Sequence, residues 1–197
     1  WSAFENSSFP EFNISTHVVQ PFDIPNNWLR FRTCDWGYSS PACCLWIAVA
    51  PSGYFSADPV LVVYRELYWT EKTTIQSGRK INELSKDETF LFTCADPESK
   101  DGRLTLSREC KIRTIAAPKH LGVLEGIGWV KEYLALDAEG KPKLIIFNTC
   151  KNLLKEFRQY RWDSKSKADK VIKKYDHALD CLRYEIMTFK RYNDHRN

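Results

Sequence analysis

The spacing of apolar and polar residues along the chain predicts a sheet flanked by helices. Three segments rich in β-branched and aromatic residues follow one another closely, at 29–36, 42–50 and 60–69, and their short connections favour an antiparallel meander. Thr89–Ala95 is a nearly continuous apolar run, which is typical of a strand buried on both faces of a parallel sheet. Two shorter strand candidates follow, at 111–117 and 143–147.

Helical spacing of apolar residues accounts for most of the remaining chain. Helices are predicted from Thr70 or Thr73 to about Ser85, over 121–136, over 151–160, and from about Tyr175 onward. The charged stretch 98–110 is predicted to be a loop. Together these elements predict one α/β domain with a mixed sheet of five strands or slightly more, in which parallel strands follow the three-stranded antiparallel meander.

The first 28 residues have a different character. They carry Phe9-Pro10, Gln20-Pro21 and Ile24-Pro25 and show no sustained period, so we expect an extended lead-in over 1–28 that packs on a single domain formed by 29–197. The chain also begins at Trp1 and not at a methionine. We therefore expect it to be a piece of a longer protein.

Composition narrows the class of protein. With 197 residues, 43% of them hydrophobic and 14% aromatic, the chain can bury a core and is not disordered. It has no apolar run near the roughly 18 residues that a membrane span needs. The net charge of +4 fits a polyanionic partner without demanding one. The seven cysteines lack the spacing of a zinc site, so we interpret them as buried thiols in a reducing cytosol.

Four aspartates stand where an α/β fold places its ligands. Asp35 and Asp96 each end a predicted strand, and ligands bind at the carboxyl ends of strands in open α/β sheets. A right-handed crossover would make these two strands neighbours. Asp176 and Asp180 lie one turn apart on the last helix. Carboxylates that converge in this way repel one another unless cations neutralise them, which favours two Mg²⁺ or Mn²⁺ ions and phosphodiester hydrolysis.

Each of these acids also has a purely structural interpretation. Asp35 or Asp96 alone could be a turn or cap residue, and Asp176 could be an acid favoured by the helix dipole. Asp180 could simply pair with Arg183. Glu66 is either a further metal ligand or a partner of Arg65 or another residue, and the two histidines that could act on protons are His120 and His177.

A run of lysines precedes the last helix. These residues are either a track for a DNA backbone or a solvated loop: Lys165, Lys167, Lys170, Lys173 and Lys174.

With these acids in place, the chain resembles the nuclease domain of the large terminase subunit of tailed bacteriophages. The resembling segments cover nearly the whole chain in order: Ile24-Pro25 through Trp28, Cys34-Asp35-Trp36-Gly37-Tyr38, Tyr64-Arg65-Glu66, Ala95-Asp96-Pro97, Gly126-Ile127, and Asp176-His177-Ala178-Leu179-Asp180 with Leu182-Arg183-Tyr184. The chain departs from the family pattern at Cys181, where a small residue is common, and in the longer charged stretch from Glu98 to Arg108.

The resemblance implies a ribonuclease H-like fold in which Asp35, Asp96 and Asp176 hold the catalytic metal ions. Asp180 matches a position that is often acidic. It further implies a metal-dependent endonuclease that cuts double-stranded DNA concatemers with little sequence specificity. The partners it implies are an upstream ATPase domain, a small terminase subunit and a portal protein, in the cytoplasm of an infected bacterium. This chain has no phosphate-binding loop of the Gly-x-x-x-x-Gly-Lys-Ser/Thr type, so ATP hydrolysis is not expected of it.

Two other functions remain open at this point. One is a catalytically silent ribonuclease H-like module that binds DNA or docks to a portal. The other is a junction resolvase or transposase of the same superfamily.

Overall fold

A mixed seven-stranded sheet forms the centre of the computed structural model, which describes residues 7–118, 122–162 and 176–194. Within these residues the strands are β1 (Val18–Val19), β2 (Leu29–Asp35), β3 (Ala42–Ala50), β4 (Val60–Trp69), β5 (Phe92–Ala95), β6 (Ile115–Ala116) and β7 (Leu144–Phe147). The helices are α1 (Ile14–His17), α2 (Thr74–Leu84), α3 (Lys100–Cys110), α4 (Val123–Leu134), α5 (Lys151–Gln159) and α6 (His177–Asp194).

The strand order across the sheet is β1-β7-β4-β3-β2-β5-β6. The predicted meander is confirmed, since β3 pairs antiparallel with both β2 and β4. The predicted parallel strands are confirmed as well, because β5 lies parallel to β2 and β7 lies parallel to β4. Every residue of β3 is buried, which fits its place in the middle of the sheet with helices over both faces.

Successive side chains of β2 contact different helices, because they point to opposite faces of the sheet. Thr33 donates its hydroxyl to the carbonyl of Cys181 on α6, and Phe31 packs on Phe189 of the same helix. The intervening Arg32 points the other way and donates to Ser85, which caps the end of α2. Because successive residues of a strand alternate between its faces, Asp35 lies on the α6 face.

Helix α3 corrects the expectation of a loop at 98–110. Its core-facing positions are only Leu106 and Cys110, and this apolar pattern is too sparse to predict a helix. The segment is helical because it packs on α2 at Gly78. A Cβ added to Gly78 would lie 2.5 Å from the Sγ of Cys110 and 2.6 Å from a methyl carbon of Leu106.

The lead-in is more structured than its prolines suggested. It contains α1 and also β1, which pairs parallel with β7 at one edge of the sheet. Phe12 stacks on Phe157 of α5 with ring centroids 4.4 Å apart. Burial of these rings joins residues 7–28 to the same core.

Three elements begin or end at other residues than the sequence predicted. The strand expected over 111–117 is only β6, the helix expected over 121–136 is α4, and the last helix begins at His177, directly after Asp176. All seven cysteines are buried and free. None of the helices in the part of the chain that the structure describes combines the length and apolarity that a bilayer crossing requires.

Candidate active site

Asp35 and Asp96 lie side by side at the carboxyl ends of two neighbouring strands, β2 and β5. β2 and β5 are parallel, with Cys34 opposite Ala95 as the last registered pair, so the next residue on each side is an aspartate. Neighbouring strands are about 4.8 Å apart. Cys94 contacts Glu185 of α6 at 3.4 Å, and strand alternation therefore directs Asp96, like Asp35, toward the α6 face.

Helix α6 brings the other two aspartates to this edge. Asp176 directly precedes the helix, and its carbonyl accepts the backbone N–H of Asp180 at 2.7 Å. This bond fixes the two residues one turn apart. The contact between Thr33 and the carbonyl of Cys181, at 3.0 Å, holds this first turn of α6 across the end of β2.

All four aspartates line one cavity of about 390 Å³. The complete lining is Asp35, Asp96, Pro97, Glu98, Pro118, Gly122, Val123, Asp176, His177, Asp180, Arg183 and Tyr184. The structure thus brings together the acids that the sequence singled out.

Two of the acids contact other residues of the cavity lining. The Oδ2 atom of Asp35 lies 3.2 Å from Nδ1 of His177, and the guanidinium of Arg183 donates to Oδ1 of Asp180 at 2.8 and 3.2 Å. The pairing of Asp180 with Arg183 is the structural alternative that helical spacing had offered. Asp96 also acts as a turn residue, because its Oδ1 accepts the backbone N–H of Glu98 at 2.9 Å.

The surroundings of Asp35 disfavour its charged form. Burial raises the pKa of this carboxyl, the nearby charges of Asp180 and Asp96 act in the same direction, and the hydrogen bond from His177 opposes them. The same hydrogen bond raises the pKa of His177, although burial of the ring works against it. Negative charge gathered around one buried carboxylate favours a cation.

The donor set fits a hard divalent cation, since all four candidate ligands are short and carry oxygen. The side chains are not gathered into a ligand sphere, however. Among the residues that the structure describes, no group of three or more His, Cys, Asp or Glu side chains is close enough to hold a metal ion. Asp35 and Asp180 instead face His177 and Arg183, which both belong to α6.

Glu156 is a site-building residue that sequence reasoning missed. It belongs to α5, is 2% exposed, and its Oε2 accepts the backbone N–H groups of Ala178 and Leu179 at 2.8 and 2.9 Å. Its other oxygen accepts the hydroxyl of Tyr68 at 2.8 Å. The side chain thereby satisfies donors at the start of α6 that have no partner within the helix. Burial raises the pKa of Glu156 to about 7.

A signal for Glu156 was present in the sequence. Leu153, Phe157 and Tyr160 are buried at helical spacing, and Glu156 falls inside that apolar stripe. A charged residue in such a stripe has to find partners in the core.

Glu66 also caps a helix, so its position does not support its interpretation as a metal ligand. Its carboxylate accepts the backbone N–H groups of Asn152 and Leu153 at 3.0 and 2.7 Å and thus caps α5. Arg65 pairs with Glu88 instead, at 2.9 Å.

Gly126 makes room for the arginine that holds Asp180. A Cβ added at this position of α4 would lie 2.6 Å from Cγ and Cδ of Arg183 and 2.9 Å from Sδ of Met187. This close approach of α4 and α6 gives a physical reason for glycine in the Gly126-Ile127 segment.

Other predicted residues lie outside the described part of the chain. They are the lysines at 165, 167, 170, 173 and 174, together with His120.

The sheet order, the flanking helices and the acidic edge define a ribonuclease H-like α/β domain. No protein-family model matches the chain, and no curated protein matches it significantly. Solved structures do match, and they include large terminases of bacteriophages. The resemblance inferred from the sequence is thereby confirmed at the level of the fold.

Three of these structures illustrate the likeness. A large terminase from a thermophilic bacteriophage, which was also solved with ADP, superposes with a TM-score of 0.79 at 24% identity, over 93% of this chain and 45% of that one. The nuclease domain of the P22 large terminase superposes with a TM-score of 0.73 at 21% identity, over 95% of this chain and 94% of that one. The large terminase nuclease of the thermophilic phage G20c, solved with bound magnesium, superposes with a TM-score of 0.66 at 12% identity. The match covers 92% of this chain and 97% of that one. The chain therefore spans about 45% of the length of the first of these proteins.

Proposed function

We propose that this chain is the nuclease domain of a tailed-bacteriophage large terminase and that it hydrolyses phosphodiester bonds of double-stranded DNA. One observation carries the proposal. Asp35 and Asp96, which end adjacent parallel strands, line the same cavity as Asp176 and Asp180 of the α6 side. The fold shared with the P22 and G20c nuclease domains supports it.

The proposed reaction depends on divalent metal ions. Asp35, Asp96 and Asp176 would hold two ions, Mg²⁺ or Mn²⁺, with Asp180 as a further ligand. Bound ions of this kind stabilise charge on the phosphate and lower the pKa of water. The G20c nuclease domain was solved with magnesium and with cobalt, which supports a divalent site. His177 would keep the carboxylate of Asp35 in place.

The proposed setting is DNA packaging. The cut would separate a packaged genome from its concatemer with little sequence preference, inside the cytoplasm of the infected host. An ATPase domain would belong to the same protein, ahead of residues 29–197, since the large terminase that was solved with ADP is more than twice as long as this chain. The small terminase subunit and the portal protein would be its partners.

One observation favours a second candidate, a silent module that binds DNA without cutting it. In the described residues, Asp35 and Asp180 each face a partner on α6 and the carboxylates are not gathered. A module that had lost catalysis would keep such pairs permanently. A nuclease would exchange them for metal ions.

A plasmid-nicking assay separates these possibilities. The wild-type chain with Mg²⁺ or Mn²⁺ should convert supercoiled plasmid to open-circle and linear forms. Asp35→Asn, Asp96→Asn and Asp176→Asn should each lose about 100-fold or more of that activity, since removing a metal-binding charge removes the stabilisation it provides. Asp23→Asn, at an exposed position away from the cavity, is the matched control and should cut like wild type.

Two results would decide against the nuclease. Equal cleavage by all four variants would point to a contaminant, and DNA retention without cleavage would identify the silent module. Preferential cutting of four-way junctions over linear duplex would identify a resolvase.

A further inference from the structure

Helix α3 and the segment that follows it enclose a basic groove next to the acidic cavity. The groove has a volume of about 570 Å³ and is lined by Lys100, Arg103, Leu104, Ser107, Arg113 and Thr114. We call these six residues the α3 groove. Three cationic side chains and two hydroxyls are the chemistry that binds phosphate oxygens.

Helix geometry keeps acidic residues out of the α3 groove. Positions 100, 103, 104 and 107 share one face because residues three, four and seven apart are neighbours on a helix. Asp101 and Glu109 fall on other faces of α3, and neither lines the groove. The core-facing residues Leu106 and Cys110 turn the remaining side of the helix toward α2. The charged residues of the groove lining are therefore all positive.

The cations of the groove are available to a ligand. Among the described residues, Lys100, Arg103 and Arg113 form no ion pair, whereas Arg65, Lys143 and Arg183 each face a carboxylate. Lys100 and Arg113 are exposed, and Arg103 is half-buried. Arg103 donates Nε–H to Thr114 Oγ1 at 3.3 Å across the groove, which orients its guanidinium and leaves its terminal N–H groups for a ligand.

The groove lies close to the acidic cavity along the chain and in space. Lys100 is four residues beyond Asp96, so their Cα atoms are at most about 15 Å apart at 3.8 Å per residue. A Cβ added at Gly102 would lie 3.1 Å from the indole of Trp36, which places the first turn of α3 beside the residue that follows Asp35. On the other side, Thr114 leads through β6 to Pro118 in the cavity lining.

We propose that the α3 groove binds the sugar–phosphate backbone of the DNA strand that enters the acidic cavity. A distance of at most about 15 Å covers no more than roughly four nucleotide steps of 3.4 Å. The groove would therefore grip phosphates only a few nucleotides from the bond that is cut. The carboxylates of the cavity repel this polyanion, and the α3 groove supplies a compensating positive surface. This inference rests on the proposed function, because it assigns a place to the proposed substrate.

The test compares two double variants of the 197-residue chain that each remove two exposed positive charges. Lys100→Gln/Arg113→Gln removes them from the α3 groove. Lys86→Gln/Lys141→Gln removes them from the loops that precede β5 and β7, at the amino ends of these strands and away from the cavity. Affinity for a short fluorescent duplex of mixed sequence is measured by anisotropy in EDTA, between roughly 50 and 200 mM salt.

The groove variant should bind the duplex about 10-fold more weakly at the lower salt, and its slope of log K against log salt should fall by nearly 2, because each phosphate contact contributes about 0.9. The control should stay within about twofold of wild type with its slope unchanged. Equal thermal unfolding of both variants shows that folding is intact, and Arg113→Glu alone provides a second variant that should weaken binding in the same direction.

Equal affinity and slope in the two double variants would overturn the inference. Binding of polyglutamate is measured in the same way. The inference would also be overturned if the groove variant lost affinity for polyglutamate but not for the duplex, since the groove would then bind an acidic protein. The metal-free binding assay is independent of cleavage. A wild-type chain that binds through the groove but never nicks plasmid would refute the proposed nuclease and leave the groove standing.

Discussion

The Nδ1 atom of His177 lies 3.2 Å from Oδ2 of Asp35, and this contact joins the first residue of α6 to the last residue of β2. Both side chains line the acidic cavity. The hydrogen bond raises the pKa of His177 and opposes the effect of burial on Asp35. His177 therefore orients a candidate metal ligand and favours its charged form.

Replacing His177 should weaken metal binding more than it weakens folding. In His177→Phe, the Asp35 carboxylate loses its donor, so the Mg²⁺ concentration for half-maximal plasmid nicking should rise about 10-fold, as for other partners of metal ligands. His177→Gln keeps a donor and should lie between Phe and wild type. A metal titration of the nicking rate checks this, and an unchanged midpoint in His177→Phe would contradict it.

Glu156 should be replaceable by glutamine but not by alanine. The amide oxygen of Gln can accept from Ala178 and Leu179, and its NH₂ can donate to Tyr68. Ala leaves buried donors at the start of α6 unsatisfied, and we expect it to lower the free energy of unfolding by about 2–4 kcal/mol and to reduce nicking at temperatures where it stays folded. Urea denaturation measures the first effect. Comparable stability of Glu156→Ala and Glu156→Gln would show that the cap is unimportant.

Two glycines of α4 provide an internally controlled test of the Arg183 packing. Gly126→Ala places a Cβ 2.6 Å from Arg183 Cγ and Cδ, whereas Gly128→Ala meets nothing within 4 Å. We expect Gly128→Ala to stabilise the protein by up to about 1 kcal/mol through helix propensity. Gly126→Ala should destabilise it by about 1–2 kcal/mol, because overpacking outweighs the same gain. Thermal unfolding of both proteins decides the matter, and similar shifts in melting temperature would argue against tight packing.

Glu185 should make the protein less stable as the pH rises. Its side chain is fully buried on α6, and burial raises its pKa to about 8, while the contact with the Cys94 thiol opposes the shift. Between the ordinary carboxyl pKa and this raised value, the folded state binds more protons than the unfolded state. The free energy of unfolding therefore falls with rising pH in that window, by up to about 1.4 kcal/mol per pH unit from this group alone.

The matched variant for this effect is Glu185→Gln, which stays neutral. Its stability advantage over wild type should be small near pH 5 and should grow toward about pH 8. Chemical denaturation across this range measures the difference. A pH-independent difference would show that Glu185 does not change its charge on unfolding.

The acidic edge could be predicted because its main determinants are local. Asp35 and Asp96 each follow a run of strand residues, and the continuous apolar run before Asp96 indicated a buried parallel strand. A parallel strand has to reach its neighbour through a crossover, and chirality restricts that crossover. The position of both acids at one sheet edge therefore followed from the order of elements, and the structure shows it.

The residues that build the site from a distance could not be predicted in this way. Glu66 and Glu156 cap helices that lie far from them in the chain, at α5 and α6. Helix α3 exists because Gly78 of α2 admits Leu106 and Cys110, and no periodicity within 98–110 reports that contact. Strand β1 depends on β7, more than 100 residues later.

The sequence by itself determined the class of the domain, the strand ends that carry aspartates and the acid pair at the start of the last helix. These follow from backbone periodicity, which acts between residues close in the chain. Only the tertiary structure decided that Asp35 faces His177, that Asp180 faces Arg183, and that the basic face of α3 lies beside the cavity. These contacts depend on which surfaces are buried against each other and on which buried polar groups then need a hydrogen-bond partner. Neither can be read from residues that are close in the chain.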